Sequence, residues 1–243
     1  MSDIRSQWQT ETLAKNYLEG VRGAIPAAKL QLEVIAKIIN VWCPNPKTVI
    51  DLGCGDGILG RMILQQYPDS SVTFIDFSDP MLSAVRDKIK NSPGARVVKA
   101  DFSSPVWLDS ISRGGQYDLV VSGFAIHHQS DERKKSLYSE IYNILCNQGI
   151  FLNLEHVASI TTEIAELFDS YFVDCLTKFH KNDIPPKSRE EIGQEYHNRS
   201  DKKENILAPV RLQCEWLQEI GFTDVDCYFK IFELAIFGGR KII

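Results

Sequence analysis

The sequence predicts an α/β fold: a doubly wound sheet, mostly parallel, with an antiparallel last strand. Three observations predict it. β-rich and helical segments alternate from Thr48 to about Leu154, as they do in successive βαβ units. Residues Thr48 to Gly60, TVIDLGCGDGILG, run from a strand through a glycine turn into an apolar helix. Two short β-rich runs close the sequence, Asp224–Lys230 and Glu233–Gly238. Too few residues separate them for a crossover helix, so they pair antiparallel.

Ser6 to Trp42 reads as two helices broken near Gly23 and Pro26, since proline ends one helix or opens the next. The first strand starts at Thr48 and the second is Ser71–Asp76. Asp79-Pro80 opens a helix, with Ser78 or Asp79 as its cap. Arg96–Lys99 and Asp118–Ser122 are the third and fourth strands. Asp131 to Cys146 is amphipathic, with Leu137, Ile141, Ile144 and Leu145 on one face, and Gly149–Leu154 is the fifth strand. Ser159 to His180 is a long helix whose stripe (Ile164, Leu167, Phe168, Tyr171, Phe172, Cys175, Leu176, Phe179) reads as core or cap packing. Asn182 to Ala208 is polar and holds Pro185-Pro186. An insertion between the fifth strand and the last helix is expected to be a substrate lid. The expected division is therefore N-terminal helices over the ligand site at 1–45, a core at 46–158 with 209–243, and a helical lid at 159–208.

In a parallel sheet the glycine turn lies where a nucleotide-like ligand rests, at the carboxyl end of the first strand. Gly53, Gly55 and Gly57 remove Cβ atoms where a ligand touches backbone. The helix that starts at Ile58 offers unpaired N–H groups. Gly55 to Gly60 also fits the dinucleotide pattern G-x-G-x-x-G, which alone is a weak signal. Charge decides between the ligands. Asp51 and Asp56 stand in the turn with no basic residue until Arg61, and two fixed anions repel a diphosphate but attract an ammonium. S-adenosylmethionine (SAM) has an adenosine, a sulfonium and an amino-acid end without phosphate, and suits this turn better than NAD. Asp76, 25 residues beyond Asp51, is set to accept from both ribose hydroxyls. Phe77 and Met81 would flank adenine, Asp101 would accept from its amino group, and Phe102 would pack on the ring. Asp101 as a helix cap is the bland alternative. Ser122 and Gly123 end the fourth strand beside the same site.

Together these pieces, with YDLVVSGFAIHH and LCNQGIFLNLEHV, resemble the class I SAM-dependent methyltransferases of the broad ubiquinone/menaquinone-biosynthesis type over Val49–Val157. The resemblance implies a Rossmann-like sheet of seven strands with helices on both faces, SAM as cofactor and S-adenosylhomocysteine (SAH) as product. The chain departs from the family at Asn147-Gln148-Gly149, where a P-G-G turn is usual. Leu18 to Ile39 resembles the N-terminal helices of the carboxymethyl-transferring tRNA wobble-uridine enzymes. Arg199-Ser200, followed by Glu204-Asn205, is similar to a segment of that group whose arginine grips the ligand, which implies a ligand contact for Arg199.

Composition narrows the class. With 243 residues, 44% of them hydrophobic, the chain can bury a full core. No apolar run approaches the roughly 20 residues that span a bilayer. The opening MSDIRSQWQTE is polar and unlike a signal peptide, so a cytoplasmic protein without membrane insertion is expected. Six cysteines without a C-x-x-C pair give no sign of a metal site. Cys54 reads as a size-fitting residue and not as a nucleophile. A net charge of −5 argues against a nucleic-acid partner, and the basic residues Lys187, Arg189, Lys202 and Lys203 are interrupted by acids. The oligomeric state, monomer or homodimer, is left open.

The expected reaction is methyl transfer from SAM to a nitrogen or oxygen of a small molecule by in-line displacement. Such an enzyme aligns the acceptor, excludes water and removes a proton. His127 is the first choice of base, with His128, Glu155 and His156 also just beyond strand ends. Glu155 could hold a cationic amine, and His156 and Arg199 are further substrate contacts. Tyr17 and Arg22 would close over the cofactor, Arg22 pairing its carboxylate. The alternatives are a tRNA-modifying methyl or carboxymethyl transferase and a non-catalytic SAM-binding protein.

Overall fold

The structure is a computed structural model that describes residues 10, 22–111, 115–199, 202 and 204–243, without the side chain of Arg22. The strands are β1 (Thr48–Leu52), β2 (Ser71–Asp76), β3 (Ala95–Lys99), β4 (Tyr117–Gly123), β5 (Leu145–His156), β6 (Thr223–Ile231) and β7 (Leu234–Arg240). They form one seven-stranded sheet in the order β3-β2-β1-β4-β5-β7-β6. The pairs among β1 to β5 are parallel, and β7 runs antiparallel to both β5 and β6. This is the predicted topology, reversed last strand included.

Among the described residues seven helices of nine or more residues accompany the sheet: α1 (Ala28–Trp42), α2 (Ile58–Gln66), α3 (Asp79–Lys88), α4 (Asp131–Ile144), α5 (Thr162–Phe179), α6 (Arg189–His197) and α7 (Val210–Ile220). A short helical turn, Arg22–Ala24, precedes α1. Strand side chains alternate between faces. Ile50 and Leu52 pack with Val120, Phe151 and Phe237 against α4 and α7 through Leu137, Tyr138, Ile141 and Leu217. Val49 packs on the opposite side with Leu119, Val121 and Leu152 against Ile35 and Ile39 of α1, Ile63 of α2 and Val85 of α3. Helices on both faces explain why these strands read as near-continuous apolar runs.

Of the cap alternatives at α3, Ser78 holds the position; its hydroxyl accepts from the Met81 N–H. The stripe on α5 divides. Phe168, Phe172 and Leu176 are buried in a third cluster with Ile192 and Tyr196 of α6, Ala24 and Leu234, whereas Ile164 and Leu167 face solvent. One expectation is corrected. β5 begins at Leu145 and not at Gly149, and α4 ends at Ile144, because Leu145 turns extended and pairs with Tyr117 ahead of a register shift. No helix among the described residues is long and apolar enough to cross a membrane.

Gly238 lets β7 lie against β5. A Cβ there would stand 2.0 Å from the Phe151 carbonyl oxygen. Gly238→Ala is expected to lower unfolding free energy by about 1–3 kcal/mol, as overpacking does. A urea midpoint unchanged from the parent would refute it.

Candidate active site

Above the carboxyl ends of the parallel strands lies a cavity of about 660 Å³. Asp51, Gly53, Gly55, Asp76, Phe77, Met81, Asp101, Phe102 and Gly123 line it. So do Asp56, Lys88, Phe124, His128, Gln129, Glu204 and Ile206, with Gly23, Ile25, Gln31 and Leu32 beside the N-terminal helix. Tyr17 lies outside the described residues, as does the side chain of Arg22.

The glycine turn is shaped for a ligand. Gly53, Gly55 and Gly57 have φ of 65°, 53° and 78°, a region that penalises any Cβ. A Cβ on Gly53 would meet that of Ala125 at 2.3 Å, whereas one on Gly55 would meet, among the described residues, only the Met81 sulfur at 3.9 Å. Open space therefore stands in front of Gly55, as a close-lying ligand requires. Asp51 Oδ2 accepts from the Gly60 N–H at 2.8 Å, tying β1 to α2. Asp76 closes the turn from the other side: Oδ2 accepts from the Gly55 N–H and Oδ1 from the Ser78 N–H, both at 2.9 Å. Each of its oxygens retains acceptor capacity. Burial pushes the Asp76 carboxyl up, and the backbone donors Ser78, Gly55 and Phe77 oppose the shift.

Asp56 differs from its reading as a fixed anion beside the ligand. Its carboxylate is buried against Lys88 of α3 and against Arg61 at 3.4 Å, so part of its charge is already compensated. Nothing in the turn itself signals Lys88, which arrives across the packing of α3. Asp101 is exposed and accepts from the Ser103 N–H at 2.8 Å, a two-residue turn and not a helix cap. Ser122 is buried outside the cavity lining, its hydroxyl donating to the Leu52 carbonyl at 2.7 Å. Burial, with Asp76 and Asp51 nearby, pushes the Cys54 thiol well up, so it is no thiolate nucleophile.

Behind the wall sits a histidine–glutamate cluster. Glu155 Oε1 lies 2.6 Å from His127 Nδ1 and accepts from the His156 N–H at 2.9 Å, while Oε2 accepts from the His127 N–H at 3.0 Å. Burial pushes the Glu155 carboxyl up to about 7, against the His156 N–H and the charges of His128, His156 and Lys134. His156 Nε2 faces Glu233 Oε2 at 2.8 Å. Glu155, His127 and His156 do not line the cavity; His128 does. The His127 and His128 ring centres are 4.0 Å apart. His128 Nδ1 is 3.4 Å from the Glu204 carbonyl. A carbonyl only accepts, so Nδ1 carries the hydrogen and Nε2 is the acceptor of that ring. Arg199 stands apart from the lining, its guanidinium 5.4 Å from the centre of the Tyr196 ring.

The sequence names Glu204 only within the segment that follows Arg199 and gives no site signal for Glu204 or Ile206, which sit in a polar stretch without periodicity. Tertiary bonds position them. The Ile206 N–H donates to the His127 carbonyl at 2.9 Å, and the buried Lys134 ammonium donates to the Ile206 carbonyl and pairs with Asp131 at 2.7 Å.

Residues 49–149 match a family model described as a methyltransferase domain. These residues therefore form a methyltransferase domain. The glycine cradle, the space before Gly55 and the acids around it fit SAM. The chain is similar to a carboxy-S-adenosyl-L-methionine synthase of Nautilia profundicola, 22% identical over 93% of this chain and 91% of the relative. Its fold is shared with an O-methyltransferase family protein from Burkholderia thailandensis (TM-score 0.68, 14% identity, 98% of this chain and 62% of that one). Human N-acetylserotonin methyltransferase, solved with SAM, is similar in fold too (TM-score 0.64, 14% identity, 100% of this chain and 60% of that one). This methyltransferase thus spans about six-tenths of the length of both solved chains.

Proposed function

We propose that this methyltransferase moves the methyl group of SAM to a nitrogen or oxygen of a small molecule held between the cofactor and the 204–206 segment. One observation carries the reading: a single cavity of about 660 Å³ runs from Asp51, Asp76 and Asp101 to His128, Gln129, Glu204 and Ile206. That volume falls within the range of small-molecule pockets. When bound, SAM supplies an activated methyl group with a neutral sulfide as leaving group. Asp76 holds the ribose, Asp101 and Phe102 the adenine, and Asp51 with the Gly53–Gly55 backbone the amino-acid end. His128 Nε2, on the cavity wall, takes the acceptor's proton, and the His127–Glu155 pair behind it fixes the wall. Residues 159–208 act as lid, and the segment around Gly23 to Leu32 closes the cofactor side.

A second reading, a synthase of carboxylated SAM, is favoured by similarity to the Nautilia profundicola protein along 93% of the chain. It requires a cation for the new carboxylate. Arg199 is away from the lining, and Glu204 would repel a carboxylate there. An RNA acceptor is disfavoured because Lys187, Arg189 and Lys202 pair with Glu195, Asp174 and Asp169.

Titration calorimetry with SAM, followed by SAH release in the presence of amine, phenol and carboxylic-acid acceptors, tests the proposal. Cofactor binding with SAH formed only when a small acceptor is added is the expected result. A cooperatively folding protein that does not bind SAM would end the reading.

A further inference from the structure

We infer that the acceptor is an amine and that Glu204 is the side chain that selects it, an inference that rests on the methyltransferase reading above. Among the described residues five carboxylates line the cavity (Asp51, Asp56, Asp76, Asp101 and Glu204), and Lys88, which pairs with Asp56, is a cation in the same lining. Three of these acids stand at the ends of β1, β2 and β3, where the cofactor's amino acid, ribose and adenine go. Glu204 belongs to the other end. It is nine-tenths buried, and its backbone carbonyl accepts from His128.

The backbone just beyond Glu204 is held at Ile206, whose N–H donates to the His127 carbonyl and whose carbonyl accepts from Lys134. The Ala158 N–H donates to Ala208 at 3.1 Å and closes the segment onto β5. A carboxylate largely desolvated on so anchored a segment interacts strongly with a charge that enters the cavity. An ammonium gains a charge-assisted hydrogen bond from it, an alcohol gains less, and a carboxylate is repelled. Phe124 and Ile206 beside it give an apolar wall for the rest of the acceptor.

The step balances with the groups present. The bound ammonium gives one N–H proton to His128 Nε2, and the freed nitrogen pair forms the new N–CH3 bond. The C–S bond breaks as this forms, its electron pair staying on sulfur to leave SAH. The product departs as a methylated ammonium, and His128 passes its proton to water.

The test uses matched probes, benzylamine against benzyl alcohol and cyclohexylamine against cyclohexanol, titrated calorimetrically into the protein saturated with SAH. The parent protein should bind at least one amine about tenfold more tightly than its alcohol. Glu204→Gln should abolish that preference while its SAH dissociation constant stays within about twofold. Glu204→Asp, which keeps the charge, should preserve the preference. SAH formation from SAM and the preferred amine should fall about tenfold in kcat/KM in Glu204→Gln. Alcohols bound as well as amines, no amine bound to the SAH-loaded protein, or a preference that survives Glu204→Gln would overturn the assignment. Failure of SAH to bind at the outset would instead strike the cofactor reading, so the two failures are told apart.

Discussion

At pH 6, Glu155→Ala is expected to destabilise the folded chain by about 3 kcal/mol or more, read as a lower urea midpoint. The Glu155 carboxyl is fully buried, accepts from the His127 and His156 backbone N–H groups and lies 2.6 Å from His127 Nδ1. Alanine leaves the two backbone donors without an acceptor and the His127 ring without its partner, and each buried unsatisfied group costs about 1–3 kcal/mol. The damage should spread, because the His127 carbonyl is also where Ile206 attaches. Weaker SAM binding in proportion to lost order is expected as well. Glu155→Gln retains an acceptor oxygen and should cost much less. Equal losses in the two variants would show that the single acceptor oxygen left by glutamine does not replace the carboxyl.

The same carboxyl gives the fold a pH dependence whose sign can be worked out. Its value in the folded chain is raised from 4.5 to about 7, chiefly by burial. Between those limits the native state holds a proton that the unfolded chain has released, so raising the pH favours unfolding. The contribution is complete below pH 4.5, declines through this window, and is lost above about 7. At about 1.4 kcal/mol per unit it amounts to roughly 3 kcal/mol. Glu155→Gln has no such proton, so its stability relative to the parent should rise from pH 5 to pH 8. Curves that stay parallel would place the carboxyl's titration elsewhere.

How much of this was readable in the sequence follows from how local each signal is. The β1–α2 turn, the acids closing β1, β2 and β3 and the antiparallel β6–β7 pair are written in contiguous residues, and the fold prediction built on them stands. What depends on packing between distant segments was harder to see. Lys88 reaches Asp56 only because α3 packs on the same face of the sheet as α2, and the proximity of Glu204 to His128 spans 76 residues of chain. The two adjacent histidines illustrate the limit. Nothing in Ile126-His127-His128 says which ring meets the cavity; the short helical turn there sends His127 toward Glu155 and His128 toward the ligand space. Where β5 begins was obscured for a similar reason, since the apolar face of α4 continues into Leu145 without a break in hydrophobicity.

Asp76→Ala should be the most damaging single change to cofactor binding. In the proposed arrangement this carboxylate accepts from two ribose hydroxyls, and hydrogen bonds to a charged group contribute about 1.5–3 kcal/mol each. Losing both should raise the SAM dissociation constant by roughly two decades or more. The substitution also has a cost without ligand. Asp76 already accepts from the Gly55 and Ser78 N–H groups, so alanine frees two donors at the turn that holds the cofactor, for about 2–4 kcal/mol of stability. Unfolding measured without SAM gives that structural part, and calorimetry at a temperature where the variant remains folded gives the binding part. Asp76→Asn separates them further. It retains one acceptor oxygen for the turn or the ribose but not for both, and it should fall between the parent and alanine in affinity. An alanine variant that unfolds more easily yet binds SAM as the parent does would mean that Asp76 serves the turn alone, and that another group, such as Asp101 at the end of β3, holds the ribose.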